Sequence, residues 1–124
     1  MHYEIHYQQL ISNNLNTKST AQTERHHIVP VSLGGTDEES NIVYLDIRSH
    51  FLAHLLLFKM GNLNQIFAVH AMLQGSLNPK YPKRYKKLRT KRWIRKAIAF
   101  GFARASRDKS AAEHYHRYKQ SYIG

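Results

Sequence analysis

Apolar positions in the N-terminal segment recur at the spacing of a helix. They fall three and four residues apart from Tyr3 to Leu15, which predicts a short amphipathic helix that ends near residues 13–16. The next stretch, 17–23, is rich in serine, threonine and asparagine and has no apolar period. A loop is therefore expected there.

The block that follows has the short apolar runs of two strands. Residues 27–29 form a brief strand-like run that Pro30 stops, and residues 41–45 form a second run. Gly34 and Gly35 lie between them and can supply the turn conformations that other residues adopt only at a cost. The pattern predicts a hairpin with a long loop.

The rest of the chain has the pattern of helices. Asp46 suits the N-cap of a largely buried helix that ends at Gly61, and a second helix is predicted from about Leu63 to Leu73. A long basic helix is predicted from Lys83 to about Arg104, and the tail from Ser106 is expected to be helical. Five side chains of the basic helix are expected to pack inward: Tyr85, Leu88, Trp93, Ala97 and Phe100. The fold class is therefore α+β, mostly α, with one small hairpin.

Composition narrows the class of protein. The chain has 124 residues, nine histidines and no cysteine, so we expect a single domain, 1–124, without disulfides or thiolate metal ligands. No stretch approaches the ~20 apolar residues of a membrane span, and the N-terminus lacks the apolar run of a signal peptide. A cytoplasmic protein with no membrane partner is the expectation.

Charge points to a polyanionic partner. The net charge is +11 and the computed pI about 10.1, and nucleic acid is the first candidate for such a balance. Thirteen lysine or arginine residues lie between Lys80 and Lys109 against one acid, Asp108, which places the expected contact surface toward the C-terminus. A solvated helix face is the competing interpretation, and no base sequence is specified. The predicted DNA-contacting residues in this region are Lys83, Arg84, Lys86, Lys87, Arg89, Lys91, Arg92, Arg95 and Lys96.

Four histidines have the spacing of a metal site. His50 and His54 are four residues apart on a predicted helix, so both rings project from one face within reach of one ion. His26 and His27 are adjacent on a predicted strand, where neighbouring side chains point to opposite faces. One of this pair can join the ion while the other carries out proton transfer, for which an unperturbed pKa near 6.5 is suited.

These spaced features resemble those of the HNH endonucleases: Glu24-Arg25-His26-His27-Ile28-Val29-Pro30, then Gly34-Gly35, then Asn41, then His50 and His54. The wider segment, with Tyr7-Gln8-Gln9-Leu10-Ile11 and Ala53-His54-Leu55-Leu56, is similar to small HNH proteins of phage genomes, including free-standing homing endonucleases. The resemblance covers roughly the first half of the chain. It implies a ββα-metal core at 24–60, followed by a basic helical DNA-binding extension at 80–124, and a location in the cytoplasm of a bacterial host if the protein is phage-encoded.

The resemblance also assigns roles to residues. It implies one divalent ion (Zn, Ni, Mn or Mg) on His26, His50 and His54, and histidine ligands favour the transition ions. His27 would be the general base, Asn41 would hold the loop and the base in position, and Glu24 would support the ligands from behind. Arg25 and Arg48 are the candidates for holding the scissile phosphate. The implied reaction is hydrolysis of DNA, double-stranded by expectation, to 5′-phosphate and 3′-hydroxyl ends.

Two other classes of function stay open on the sequence alone. One is a non-catalytic DNA-binding protein that keeps a structural metal in a degenerate HNH unit, or an accessory subunit of a partner nuclease. The other is an RNA-directed or toxin-like nuclease. Cleavage of one strand or both depends on the oligomeric state, which the sequence leaves open.

Overall fold

The computed structural model describes residues 2–73, 83–108 and 113. Within these residues the chain is mostly helical and has one antiparallel hairpin beside a cluster of histidines, which confirms the expected fold class. The predicted helical tail lies, apart from residues 106–108 and 113, outside the described residues. The elements are α1 (Tyr3–Asn14), β1 (Thr23–His27), β2 (Ile42–Asp46), α2 (Ile47–Lys59), α3 (Gln65–Leu73), α4 (Lys86–Arg89) and α5 (Arg92–Ser106).

The hairpin begins earlier than its apolar pattern predicted. β1 pairs with β2 from Thr23 opposite Asp46 to His27 opposite Ile42, so the strand predicted at 27–29 is wrong by several residues. β2 supplies the apolar inner face, because Val43 and Leu45 are both buried. Their partners in β1 are polar, since this half of the inner face borders the histidine cluster instead of the apolar core.

One asparagine ties the long loop of the hairpin together. The Asn41 side chain accepts from the Val29 amide at 2.8 Å and donates to the carbonyls of Val29 and Thr36 at 3.0 and 2.8 Å. A Cβ atom at Gly35 would lie 1.7 Å from the Val29 carbonyl oxygen, so the chain can pass this point only as glycine. These contacts hold the two ends of the loop together, close to the end of β1.

Helix α2 is the centre of the fold. It begins with Asp46 as N-cap, whose carboxylate accepts from the Ser49 amide at 2.7 Å, and the predicted start and end of this helix are confirmed. One side packs with α1 and β2 in a cluster of Tyr7, Ile11, Val43, Leu45, Ala53 and Leu57. The other side packs against α3 and the basic region in a larger cluster that contains Phe51, Phe58, Ile66 and Ile94.

The basic region is not the single helix that its pattern predicted. It forms the short helix α4 and the longer helix α5, with a break at residues 90–91 where Lys91 has an extended backbone. The break resets which side chains face the core. Trp93 and Phe100 are 43% and 54% exposed, so the prediction that they pack inward is wrong.

The buried stripe of α5 is formed by smaller residues. Ile94, Gly101 and Ala105 are buried at the spacing of a helix, and a Cβ atom at Gly101 would lie 2.2 Å from Cδ1 of Ile66. The absence of a side chain thus lets α5 lie close against α3. Tyr85 is buried as predicted. No helix in the described part of the chain has the length and apolarity needed to cross a membrane.

Candidate metal centre

Three histidines meet where β1 packs against α2. His26 comes from the strand, and His50 and His54 come from successive turns of the helix. One ring nitrogen from each can be chosen so that all lie within 4.8 Å of one another. The three ring centroids are 4.9 to 5.1 Å apart, so the rings face a common space.

The hydrogen bond of His26 leaves one of its nitrogens free for a ligand. Its Nε2 lies 2.9 Å from the hydroxyl oxygen of Tyr7. That hydroxyl donates its own proton to the carbonyl oxygen of Ile28 at 2.6 Å, so it must accept from His26. The proton of the neutral ring is therefore on Nε2, and Nδ1 carries the lone pair.

Each of the two helical histidines is also oriented by a hydrogen bond, in this case through Nδ1. Nδ1 of His50 donates to Oε1 of Glu24 at 2.9 Å, and Nδ1 of His54 donates to Oε1 of Gln65 at 2.6 Å. In the neutral rings both Nε2 atoms carry lone pairs, and these atoms lie 3.2 Å apart. Two imidazole nitrogens at this distance need a cation between them, either a proton in a hydrogen bond or a metal ion. The donor set therefore fits a divalent metal ion, with each ligand oriented by an oxygen behind it.

The surroundings also keep these rings neutral. Burial, with the charges of the neighbouring histidines, lowers the pKa of His26 to about 2. Burial and the charge of His50 lower the pKa of His54 to about 4. Neutral imidazole is the form that binds metal, so near pH 7 these two rings need not lose a proton to become ligands.

Glu24 lies behind the cluster as an ionised, fully engaged carboxylate. Its side chain is 9% exposed; Oε1 accepts from His50 and from the Tyr85 hydroxyl, and Oε2 accepts from Arg84 at 3.1 Å. Burial alone would raise the pKa of Glu24, but these hydrogen bonds and the charge of His50 outweigh it and lower the pKa to about 2. Burial likewise raises the pKa of Tyr85, which keeps its proton for donation.

His27 lies apart from the three clustered histidines. It follows His26 on β1 and points to the opposite, outer face of the hairpin, where its Nε2 is 2.7 Å from Oδ1 of Asp37. The same carboxylate lies 3.6 Å from the Arg25 guanidinium, which also donates to the Asp37 carbonyl at 3.2 Å. The hydrogen bond from His27 lowers the pKa of Asp37, and an ionised Asp37 accepts the Nε2 proton. In the neutral tautomer of His27 the lone pair is then on Nδ1.

The predicted DNA-contacting residues fall into two groups. Arg84 is 7% exposed and paired with Glu24, and Arg89 is half-buried and donates to the Leu73 carbonyl. The guanidinium of Arg84 is thus enclosed within the fold, and that of Arg89 is partly engaged there. Arg25 and Arg48 are exposed, and so are seven residues of the basic region: Lys83, Lys86, Lys87, Lys91, Arg92, Arg95 and Lys96.

An exposed aromatic ring lies among these charges. The Trp93 indole packs edge-to-face on Phe51 with ring centroids 5.9 Å apart, so the core holds it in one orientation. It borders an open hollow of about 540 Å³ together with Lys91, Arg92 and Lys96. We call this the basic surface: the seven exposed cations of residues 83–96 together with Trp93.

Several partners of the histidines and of Glu24 cannot be identified from the sequence. Tyr7 falls in an apolar stripe, Tyr85 has the pattern of a core residue, and Arg84 has that of a DNA contact. Gln65 and Asp37 carry no signal at all. Each of these residues is recognisable only by the atom it contacts, because tyrosine, glutamine and aspartate are common at helix and loop positions without such a role.

The chain is similar to mobile endonucleases of a bacteriophage. It is 42% identical over 82 residues to the "Probable mobile endonuclease B" of Enterobacteria phage T4, an alignment that covers 61% of this chain and 31% of that protein. It is 33% identical over 92 residues to the "Probable mobile endonuclease E" of the same phage, covering 73% of this chain and 64% of that protein. With the "Probable mobile endonuclease D" it shares 48% identity over 44 residues, which cover 36% of this chain and 17% of that protein.

The matched segment spans about a third of the first of these relatives and just under two thirds of the second. No family model matches the chain, and no solved structure does. What the comparisons establish is that the chain is similar in sequence to phage proteins named as mobile endonucleases.

Proposed function

We propose that this protein is a metal-dependent HNH endonuclease of the mobile, homing type, which hydrolyses phosphodiester bonds of double-stranded DNA to 5′-phosphate and 3′-hydroxyl ends. One observation carries the proposal. Three histidines bring one ring nitrogen each to within 4.8 Å of one another, and a fourth histidine is held separately on the other face of the same strand. The sequence similarity to proteins named as mobile endonucleases supports the same class.

The residues that would hold the ion are His26, His50 and His54. Their nitrogen donors favour zinc, nickel or manganese over magnesium. A divalent ion bound there would supply Lewis-acid stabilisation of the charge that develops on the phosphate and on the departing 3′ oxygen. Glu24, Tyr7 and Gln65 each accept the outer proton of one ligand and so keep the three lone pairs directed inward.

His27 is the proposed general base. With its Nε2 proton donated to Asp37, it offers Nδ1 to take a proton from the attacking water. Asn41 closes the loop that follows His27 and so limits movement of that end of the strand. Arg25, on the same outer face and held by Asp37, is our first candidate for the cation that binds the scissile phosphate, with the exposed Arg48 as the second.

The basic surface is the proposed site of contact with DNA. Its cations would neutralise phosphates, which supplies most of the affinity of sequence-independent binding. Trp93 adds an aromatic ring held in a fixed orientation beside them. Arg84 and Arg89 are left out of the proposed contact set because their guanidinium groups are engaged within the fold.

The competing proposal is a DNA-binding protein, or an accessory subunit of a partner nuclease, with a structural metal. A structural zinc site is closed by four protein ligands. In the part of the chain that the structure describes, three ligands of this kind cluster. An ion held by these three ligands alone would keep coordination positions open, which favours catalysis over a purely structural role.

The test is cleavage of supercoiled plasmid by the parent protein, His27→Ala and His6→Ala. Each is treated with EDTA and then given Mg, Mn, Ni or Zn. Nicked or linear DNA should form only with metal, in the parent and in His6→Ala, which removes an exposed histidine of α1. Linear products should ligate without kinase treatment if they carry 5′-phosphates. If DNA binds the parent but stays intact with every metal, the non-catalytic alternative is favoured. RNA offered in parallel tests the alternative of an RNA-directed nuclease.

A further inference from the structure

Tyr85 and Arg84 connect the second half of the chain to the histidine cluster through one carboxylate. The Tyr85 hydroxyl donates to Oε1 of Glu24, the oxygen that also accepts from Nδ1 of His50. Arg84 donates to the other oxygen, Oε2, at 3.1 Å. Both oxygens of Glu24 are therefore held by residues 60 and 61 positions further along the chain.

These contacts are shielded from water. The side chains of Arg84 and Glu24 are 7% and 9% exposed, and Tyr85 is 3% exposed. The Tyr85 ring also packs in the apolar cluster that contains Phe51 and Ile94. Its position is thus set by apolar contacts, and hydrogen bonds to a carboxylate are strong in such surroundings.

The direction of the Glu24 carboxylate decides the direction of a proposed metal ligand. His50 turns its Nε2 toward His54 only while its Nδ1 proton points at Oε1 of Glu24. A carboxylate held at one oxygen only could rotate away and release the ring. Partners that orient a ligating histidine commonly change metal affinity by about 10- to 100-fold when they are removed.

We propose that Tyr85 is a positioning residue of the metal centre: by donating to Glu24 it holds that carboxylate, and through it the His50 ring, in the ligating orientation. Arg84 supports the same carboxylate from its other oxygen. The proposal rests on the metal site of the proposed function and is independent of whether DNA is cut.

A structural consequence concerns the basic surface. Tyr85 and Arg84 lie directly before α4, which carries Lys86 and Lys87. The segment that we propose contacts DNA and the residues that orient His50 are therefore one continuous piece of chain. The metal affinity of the centre therefore depends on this segment being packed against Glu24.

The test compares affinities for Co²⁺ in the full-length protein, measured by absorbance titration and by competition with a chelator. Tyr85→Phe keeps the packed ring and removes only the donor, and we expect it to bind Co²⁺ about tenfold more weakly. In a Glu24→Gln background, where a neutral amide offers one acceptor oxygen in place of two, the same substitution should weaken binding by less than about threefold, because coupled residues are not additive. Tyr44→Phe, which removes a hydroxyl from the outer face of the hairpin, should bind like the parent.

Parent-like affinity in Tyr85→Phe would overturn the proposal, and so would an equal loss in both backgrounds. Should Tyr85→Phe not fold, Arg84→Lys, which keeps the charge but loses the planar fork, carries the same expectation. If the parent binds Co²⁺ and the variants behave as expected, but no DNA is cut, only the proposed function is refuted. A parent that cuts DNA while Tyr85→Phe binds Co²⁺ normally would refute only the role of Tyr85. A parent that binds no Co²⁺ would overturn the role of Tyr85 as well.

Discussion

Nδ1 of His50 lies 2.9 Å from Oε1 of Glu24, and the two side chains are 7% and 9% exposed. This contact joins the strand β1 to the helix α2 at the centre of the proposed metal site. The same Glu24 carboxylate also balances the buried charge of Arg84. Glu24 is therefore expected to contribute to folding as well as to ligand orientation.

Glu24→Gln should destabilise the metal-free protein by about 1–3 kcal/mol, because a buried donor or charge loses its acceptor. The measurement is urea unfolding in EDTA. Glu38→Gln, the same change at an exposed position, should stay within about 0.5 kcal/mol of the parent. Equal unfolding midpoints for Glu24→Gln and the parent would contradict the buried ion pair.

Binding of a divalent ion should stabilise the folded protein. At a free ion concentration about 100 times Kd the gain is roughly 2.7 kcal/mol. For a domain of this size that corresponds to a rise in Tm on the order of 10 °C. His54→Ala should lose most of the rise, and His6→Ala should keep it. A thermal melt with and without Ni²⁺ checks this, and an undiminished rise in His54→Ala would remove that residue from the ligand set.

Asp37→Ala should lower the rate of DNA cleavage about tenfold while the affinity for metal stays the same. The reason is that His27 loses the acceptor for its Nε2 proton and no longer holds Nδ1 in one tautomer. Asp37→Asn keeps an acceptor oxygen and should recover much of the rate. Single-turnover cleavage separates the rate from binding, with the exposed Glu39→Ala as control. An equally slow Asp37→Asn would argue against a role through this hydrogen bond.

The two glycines of the hairpin loop should respond differently to alanine. Gly34 has a φ of 96° with open space around a Cβ, so Gly34→Ala should cost about 1–2 kcal/mol of backbone strain. Gly35→Ala should cost more, because its Cβ would overlap the Val29 carbonyl and approach the Asn41 side chain. Urea unfolding of both variants gives the order, and a reversed order would show that the loop passes Val29 differently.

The basic surface should set the salt dependence of DNA binding. Arg92→Gln and Lys96→Gln should each weaken binding at all sequences and reduce the slope of log K against log salt by about 0.9 for every phosphate that the variant no longer neutralises. Lys18→Gln, which removes an exposed charge near the end of α1, should leave the slope unchanged. Fluorescence anisotropy at several salt concentrations, in EDTA, measures these slopes. Unchanged slopes in the first two variants would move the DNA-binding surface elsewhere.

Local spacing was enough to predict that two histidines share a helix face and that one of two adjacent histidines could join them. Residues four apart on a helix share a face, and adjacent residues on a strand do not, so His50 and His54 were expected to meet one of the pair His26 and His27. The start and end of α2 were also predictable, because Asp46 and Gly61 are signals that act within one turn. None of these inferences needs information from distant parts of the chain.

Interactions between distant parts of the chain could not be predicted in this way. Strand β1 has no apolar residue, and it forms a strand because β2 pairs with it and supplies the apolar half of the inner face. The orientation of α5 depends on the break before Arg92 and on the fit of Gly101 against Ile66, which left Trp93 exposed. The period of apolar residues predicts which face of a helix is buried only when the first and last residues of that helix are known.

The sequence by itself determined the fold class, the helix α2, and the shared face of His50 and His54 that one of His26 and His27 could join, because helical and strand periods act over a few residues. Only the tertiary structure decided which atoms orient those histidines. Glu24 meets Arg84 and Tyr85 across 60 and 61 positions of chain, and His27 meets Asp37 across the loop. Such pairs form where packed elements leave a buried or half-buried polar group that must find a partner, and sequence spacing does not encode that position.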